Sequence, residues 1–160
     1  MDNGTRPLRV GVISDTHGLS RPRALEALAG SALILHAGDI GNRAVLDALG
    51  AIAPVHAVRG NNDRGDWAAA LPETLSVPLG PIRLWMLHDL KALDMDPAAA
   101  GFAAVVAGHS HKPQVTWRDG VLLLNPGSAG PRRFKLPISV ACLELDGDGG
   151  VDARIVLLEP

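Results

Sequence analysis

The sequence predicts an α/β domain in which two mixed β-sheets pack face to face with helices on the outside. The first half of the chain alternates short apolar runs with segments of helical spacing, and the second half is rich in apolar runs joined by hairpin turns. A chain of 160 residues, 47% of them hydrophobic, buries enough surface for one sizeable core and too little for two. We therefore expect a single domain over residues 1–160, with residues 1–7 as a polar leader.

The first half of the chain is typical of two consecutive βαβ units. Apolar runs predict strands at 8–14, 32–37 and 55–58. Apolar residues at helical spacing predict helices at 21–29 and 43–49, between those strands. Strands that are connected through helices pair in parallel, so we expect a parallel sheet here.

The second half contains shorter connections, which favour antiparallel pairs. Gly80-Pro81 and Asp119-Gly120 each separate two apolar runs, and residues 146–150 separate a third pair. The predicted strands are 75–79, 82–87, 103–107, 114–117, 121–124, 138–145 and 151–158.

Composition excludes several classes of function. The 15 basic residues nearly balance the 17 acidic ones, and the chain has no Tyr and two Phe, so we expect no stable nucleic-acid binding. No apolar stretch reaches the roughly 20 residues that cross a bilayer, and the N-terminus does not resemble a signal peptide, so we expect no membrane association. The single cysteine, Cys142, cannot form an intrachain disulfide, and we expect a cytoplasmic protein.

Polar side chains follow five of the predicted strands, at the point where each strand ends. In α/β sheets the carboxyl ends of strands form the ligand crevice, so these side chains are predicted to converge. Gly38, Gly60 and Gly108 allow the loops to approach closely. Seven of these residues are candidate metal ligands: Asp15, His17, Asp39, Asn61, His88, His109 and His111.

The types of ligand indicate the chemistry. Four imidazoles, two carboxylates and one amide oxygen suit Mn, Fe, Co, Ni or Zn better than Ca or Mg. Seven ligands exceed the needs of one tetrahedral ion, whereas a bridging carboxylate would allow four contacts to each of two ions about 3.5 to 4 Å apart. Two divalent ions and two carboxylates leave a charge of +2, which favours an anionic substrate. The sequence therefore predicts hydrolysis of a phosphate ester by in-line attack of a hydroxide bound to both metal ions.

These five motifs, in this order and at these spacings, resemble the calcineurin-like metallophosphoesterase superfamily, and in particular its small single-domain bacterial and archaeal phosphodiesterase branch. Asn125-Pro126-Gly127-Ser128 is similar to a loop of that branch. The resemblance implies a four-layer α-β-β-α sandwich and a homodimer or homotetramer. It assigns one ion to Asp15, His17, Asp39 and His111 and the other to Asp39, Asn61, His88 and His109, with Asp39 as the bridge. Manganese is the expected metal, and Ni, Fe, Co and Zn are alternatives.

The sequence departs from the family pattern at two places. Many members carry a His after the liganding Asn and use it to protonate the leaving group, whereas this chain has Asn62, whose amide cannot act as an acid near pH 7. Asp63 is a substitute candidate, so we assign Asp39, Asn62 and Asp63 as the catalytic residues. Without a donor the enzyme would need good leaving groups. Asp89 stands where the family usually has Gly.

Other polar and aromatic residues fit structural roles. His36 and His56 lie in or beside apolar strands and are predicted to be core histidines or supports of the ligands. Arg59, Arg132 and Arg133 fit an exposed surface, although each could also contact a phosphate. Trp67, Trp85 and Trp117 are predicted to pack in the core or at its rim, and Cys142 to be an inert core residue.

Two functions from different classes fit the resemblance. The first is a metal-dependent phosphoesterase acting on a small phosphate ester, with phosphodiesterase as the favoured activity. The second is a protein-binding scaffold similar to the retromer subunit that keeps this fold with altered ligands. Because a scaffold is free to lose ligands and all seven are present here, the sequence favours the enzyme. The physiological substrate and the choice between diester and monoester stay open.

Overall fold

The computed structural model describes residues 7–158, which form two five-stranded sheets packed face to face. All ten predicted strands and both predicted helices are present, and each boundary lies within one residue of the expected one. The strands are β1 (Leu8–Ile13), β2 (Leu33–His36), β3 (Val55–Ala57), β4 (Thr74–Leu79), β5 (Ile82–Leu87), β6 (Ala104–Val106), β7 (Gln114–Arg118), β8 (Val121–Asn125), β9 (Ser139–Leu145) and β10 (Val151–Leu157). The helices are α1 (Pro22–Leu28), α2 (Arg43–Gly50), α3 (Asp66–Ala69) and a single 3-10 turn at Leu90–Ala92.

The first sheet has the order β10-β9-β1-β2-β3. The pairs β1–β2 and β2–β3 are parallel, which confirms the two predicted βαβ units. The hairpin β9–β10 returns from the C-terminal part of the chain and joins this sheet through antiparallel pairing of β9 with β1. As a result β1 lies at the centre of the sheet and is buried over its last four residues.

The second sheet has the order β4-β5-β6-β8-β7. The hairpins β4–β5 and β7–β8 are antiparallel, as their short turns predict. Between them, β6 pairs in parallel with both β5 and β8. The carboxyl ends of β5 and β6 therefore point toward the same edge of the sheet.

The main hydrophobic core lies between the two sheets. Val10, Val12 and Leu35 from the first sheet face Leu84, Met86 and other aliphatic residues from the second. Among the described residues, no aromatic ring belongs to this core between the sheets. Close packing of these aliphatic side chains holds the two sheets in a fixed relation, so polar residues at the ends of strands from both sheets meet at one edge.

The two outer layers differ in thickness. Helices α1 and α2 pack Leu28 and Leu49 against the outer face of the first sheet. The outer face of the second sheet is covered by the 3-10 turn and the residues that follow it, with Leu90, Leu93 and Ala98 packed on the sheet. The two sheets and their outer layers confirm the predicted sandwich, with a single 3-10 turn and irregular chain as the layer on the second sheet. In the described part of the chain, no helix is long and apolar enough to span a membrane.

Candidate metal centre

The loops that follow β1 and β2 are held together by their backbones. Asp15 N–H donates to the Gly38 carbonyl and His17 N–H donates to the Asp39 carbonyl, both at 3.0 Å. On the second sheet, Gly108 N–H donates to the His88 carbonyl at 2.9 Å. These bonds continue the pairing of the strands beyond their ends and align the polar side chains that the loops carry.

The carboxylates and imidazoles form two adjacent clusters. In each cluster the candidate ligand atoms lie within 4.8 Å of one another, and the clusters are Asp15, His17 and His111, and Asp39, His88 and His109. Asp39 Oδ2 lies 3.3 Å from His88 Nε2 and 3.9 Å from His17 Nε2, so this carboxylate lies between the clusters. Each cluster therefore has the composition and the size to hold one divalent ion.

The hydrogen bonding of the site supports a metal there. Four buried side-chain atoms make no hydrogen bond among the described residues: Asp15 Oδ1, His17 Nε2, His88 Nε2 and His111 Nδ1. Buried polar atoms are normally paired, so unpaired ones need a partner of another kind. A divalent cation provides that partner for carboxylate oxygens and imidazole nitrogens, and the residues present fit such an ion.

The backbone of the candidate ligands is strained. Seven described residues other than glycine have positive φ, and five of them are candidate ligands: Asp15, His17, Asp39, His109 and His111. Their φ values run from 48° to 71°, in the left-handed region that costs an L-residue about 1 to 2 kcal/mol. Strain of this kind clusters at functional sites. The same geometry turns His109 and His111 out of strand alternation, toward the two clusters.

Two glycines allow the loops to pack against the ligands. A Cβ at Gly60 would collide with the backbone and carboxylate of Asp39, and a Cβ at Gly108 would collide with the side chain of Ser14. The predicted role of these glycines in close approach is therefore seen directly in the structure.

The two buried carboxylates differ in their electrostatic surroundings. Burial raises the pKa of Asp15, and this outweighs the hydrogen bond from Ser14 Oγ at 2.7 Å. Burial also acts on Asp39, but the neighbouring His88 and the Asn62 N–H hold the pKa of Asp39 well below its usual range. Asp39 is therefore charged at neutral pH, as a bridging ligand must be.

The imidazoles of the two clusters also differ. Burial lowers the pKa of His111, which keeps the ring neutral and able to bind a cation. Burial acts in the same direction on His88, but the carboxylate of Asp39 and the carbonyl of Ala37, which lies 2.7 Å from Nδ1, together raise the pKa of His88 above its usual value.

The ring of His36 links two of the loops that carry candidate ligands, and its burial confirms the prediction of a core histidine. The ring is fully buried, its Nδ1 accepts from Gly38 N–H at 3.1 Å, and its Nε2 lies 3.0 Å from Thr16 Oγ1. Thr16 Oγ1 in turn donates to the Ile40 carbonyl at 2.8 Å. This chain of bonds ties the loop after β1 to the loop after β2. Burial lowers the pKa of His36 to about 3.

The loop of Asn125 to Ser128 braces ligand loops from both sheets. Asn125 Nδ2 donates to the Gly108 carbonyl at 2.9 Å, beside His109. Ser128 Oγ donates to the Asp15 carbonyl at 3.1 Å. Neither role was predicted, and only the similarity of this loop to the family motif marked it in the sequence.

The three polar residues of the turn from Gly60 to Asp63 differ in their burial and in their hydrogen-bond partners. Asn62 donates to Asp39 twice, from its backbone N–H at 2.9 Å and from Nδ2 at 3.3 Å. Asp63 is buried and accepts from Gly60 N–H and Gly41 N–H, so its carboxylate braces the loops. Asn61 lies between Gly60 and Asn62 with an exposed side chain. Both catalytic assignments, for Asn62 and Asp63, and the ligand role of Asn61 stay predictions.

Several residues outside the clusters were also predicted, and one prediction is wrong. His56 is exposed on β3, because this edge strand turns that side chain to solvent, and so it is not a core histidine. Arg59 pairs with Glu73 at 3.0 Å, and Cys142 is buried as expected. Trp67 and Trp85 are half-buried, and Trp117 lies on the edge strand β7 with 55% of its surface exposed. Asp89 Oδ2 lies 3.8 Å from His109 Nε2.

The family model of the calcineurin-like phosphoesterase superfamily domain matches residues 8–148, which include every candidate ligand. The chain belongs to this superfamily. Family membership supports a phosphoesterase hydrolase that binds divalent metal ions, and the two clusters supply candidate ligands for them.

Relatives of this superfamily domain match over nearly its whole length. A probable metallophosphoesterase from Methanothermobacter thermautotrophicus is 34% identical over 159 residues, covering 92% of this chain and 91% of the relative. A probable metallophosphoesterase from Methanocaldococcus jannaschii is 29% identical and covers 94% and 81% respectively. A crystal structure of wild-type Vps29 with zinc from Entamoeba histolytica is 25% identical, with a TM-score of 0.70, covering 94% of this chain and 99% of that one.

Proposed function

We propose that this protein is a metal-dependent phosphodiesterase with a centre of two divalent ions. The observation that carries the proposal is the pair of adjacent clusters, with Asp39 Oδ2 3.3 Å from His88 Nε2 in one and 3.9 Å from His17 Nε2 in the other. Four buried atoms of these clusters lack hydrogen-bond partners among the described residues. Two bound ions would lower the pKa of a water and neutralise charge on the phosphate. The predicted ligand assignment, including Asn61, belongs to this proposal.

The residues of the chain have separate tasks in this proposal. Asp39 joins the clusters, and the two hydrogen bonds from Asn62 fix the orientation of its carboxylate. Ser14 does the same for Asp15. His36, Asn125 and Ser128 hold the ligand loops in register. Fixed ligands lower the cost of organising the site when ions and substrate bind.

The charge of the site favours an anionic substrate. Asp15 and Asp39 together offset only half of the charge of two divalent ions, which leaves +2 for a phosphate group. Manganese is the metal we propose, and zinc is the alternative that the Entamoeba histolytica Vps29 structure supports. The preference for diesters rests on the similarity of the motifs to the phosphodiesterase branch. A cytoplasmic location and a homodimer or homotetramer belong to the same proposal.

Without a general acid in the site, the leaving group has to depart without receiving a proton. The amide of Asn62 cannot donate a proton near pH 7, and the carboxylate of Asp63 is held by two backbone amides. A leaving group of low pKa needs no proton, so activated aryl esters should turn over faster than alkyl esters.

The test uses metal-stripped protein with bis(p-nitrophenyl) phosphate and p-nitrophenyl phosphate as diester and monoester. We expect hydrolysis that depends on added manganese, at a stoichiometry of two ions per chain, with the diester preferred. Asp39→Asn should lower the rate at least about 100-fold and reduce the number of bound ions. Asp47→Asn, an exposed carboxylate on α2, is the matched control and should keep both. A single bound ion with full activity would overturn the two-ion centre.

A protein-binding scaffold is the second candidate function. It is favoured by the 25% identity to Vps29 of Entamoeba histolytica, although the complete set of candidate ligands supports catalysis more directly. Absence of turnover with every metal, together with normal folding and normal metal binding, would favour the scaffold over the enzyme.

A further inference from the structure

A groove of about 830 Å³ runs along the outer face of the second sheet and ends at the candidate metal centre. Its floor is formed by Val105 and Ala107 of the β6 region and Leu123 of β8, all of them buried. Its roof is the segment that follows His88, which crosses the sheet as a single 3-10 turn and an irregular stretch. Because this outer layer is thin, it leaves part of the sheet open.

The groove is continuous with the second ligand cluster. Gly108, His109 and Asn125 line it at the carboxyl ends of β6 and β8. His109 is 44% exposed, and its ring also belongs to the cluster with Asp39 and His88. A phosphate held at the clusters would therefore have one of its ester groups beside the mouth of the groove.

The length of the groove follows from the strand β7 that runs along it. Gln114 pairs with Asn125 at the end nearest the metal centre, and Arg118 pairs with Val121 at the far end. Four residues of an antiparallel strand span about 13 Å. The volume lies in the range of pockets that bind small molecules, roughly 300 to 1,000 Å³.

The floor and the roof of the groove present aliphatic side chains. Five half-buried apolar residues form the roof, and they are Leu90, Leu93, Met95, Pro97 and Ala98. Apart from the imidazole of His109, none of the described side chains that line the groove is aromatic. A nucleobase is best held by an aromatic stacking partner, which the described floor and roof do not offer, whereas an alkyl chain needs only apolar surface. Exposed polar and charged side chains form the rim of the groove, and they are Lys91, Asp96, Ser110, Gln114, Arg118 and Asp119.

We infer that the groove binds an aliphatic group of the substrate, so that the preferred substrate is a phosphodiester with an alkyl chain on one side. This inference rests on the proposed phosphodiesterase function. Water adds to phosphorus, the bond from phosphorus to the leaving oxygen breaks, and the products are an alkyl phosphate and the released alcohol. The groove contributes binding, through burial of methylene groups, and takes no part in bond breaking.

The experiment compares p-nitrophenyl esters of methyl, butyl and octyl phosphate with manganese-loaded protein. The leaving group is constant, so the rate of p-nitrophenolate release reports the effect of the alkyl chain alone. We expect kcat/KM to rise with chain length, by up to about fourfold for each buried methylene. The p-nitrophenyl ester of thymidine 5′-phosphate should be a poorer substrate than the octyl ester. Equal kcat/KM for the methyl and octyl esters would overturn the inference.

Two tryptophan substitutions on the same segment provide a matched pair. Ala98→Trp places an indole in the groove, and we expect it to reduce the preference for octyl over methyl about tenfold or more. Ala92→Trp places the same group on an exposed residue that does not line the groove, and the preference should stay as in the wild type. A preference unchanged in both variants would place the alkyl chain elsewhere.

Direct binding separates this inference from the proposed function. Octyl phosphonate and methyl phosphonate cannot be hydrolysed, and their affinities for manganese-loaded protein can be measured by calorimetry below the micelle concentration. Tighter binding of octyl phosphonate, lost in Ala98→Trp, would support the groove even if no ester were hydrolysed. Equal binding, together with a dimer that Ala98→Trp dissociates, would show instead that a second copy of the chain occupies the groove.

Discussion

His17 shows at the scale of one residue why the site is costly to build. Its φ is 48°, its Nε2 makes no hydrogen bond among the described residues, and the ring is only 24% exposed. The folded protein therefore bears the left-handed strain of this residue and the desolvation of its Nε2, which has no hydrogen-bond partner in the described part of the chain. A bound cation would be the interaction that offsets both costs.

The strain at His17 can be measured with two substitutions that both remove the imidazole. His17→Gly should give a metal-free protein about 1 kcal/mol more stable than His17→Ala, because only alanine suffers from its Cβ at positive φ. At His56, on the extended strand β3, the order should reverse by about 0.5 to 1 kcal/mol. Urea unfolding gives the free energies. Equal stability of the two His17 variants would contradict the strain.

At the scale of elements, the loops between strands and helices carry the site. The turn from Gly60 to Asp63 is braced by the buried carboxylate of Asp63, and hydrogen bonds from Asn62 to Asp39 position it against the neighbouring loop. Such a loop can approach a ligand only where a side chain is missing. The Cα of Gly60 therefore lies against Asp39 with no room for a Cβ.

A pair of glycine substitutions separates this close approach from general effects of glycine. Gly60→Ala should displace Asp39 or the turn, lower metal affinity, and destabilise the protein by about 1 to 3 kcal/mol through overpacking. Gly50→Ala, at the end of α2 with nothing within 4 Å of the new Cβ, should be neutral or stabilising by up to about 1 kcal/mol. Thermal unfolding and manganese titration provide the readouts. Normal manganese affinity in Gly60→Ala would refute the argument.

Elements with a repeated pattern were predictable, and those without one were not. Hydrophobic periodicity marks the strands and both longer helices in the sequence, and their predicted boundaries agree with the observed ones within one residue. Helix α3 and the 3-10 turn at Leu90–Ala92 are single turns, too short for any period to be visible. The pairing of β9 with β1 links residues more than 120 positions apart, and no local signal reports it. The exposure of His56 depends in the same way on β3 being an edge strand.

At the scale of the whole molecule, each ligand cluster joins the two sheets. Asp15 and His17 follow a strand of the first sheet, and their partner His111 follows a strand of the second. In the other cluster, Asp39 follows the first sheet, whereas His88 and His109 follow the second. The sequence indicates which residues are candidate ligands, but their division between the sheets emerges only from the packing of the core. Ions bound there would link the sheets and add to the stability of the fold.

The buried ring of His36 makes the stability of the whole molecule sensitive to acid. Its pKa is lowered to about 3 in the folded protein, whereas in the unfolded chain it is near 6.5. Between these values the unfolded state binds a proton that the folded state does not. The contribution of His36 to the free energy of unfolding therefore falls as pH drops below 6.5, by about 1.4 kcal/mol for each pH unit.

His36→Gln removes this titration. The free energy of unfolding of metal-free protein, measured between pH 7.5 and 5, should show the advantage of wild type over His36→Gln shrinking by about 2 kcal/mol. The raised pKa of His88 acts in the opposite direction, as a stabilising contribution lost when pH rises, but it is common to both proteins and cancels in the difference. A difference that stays constant with pH would mean that the ring of His36 is not held neutral by burial.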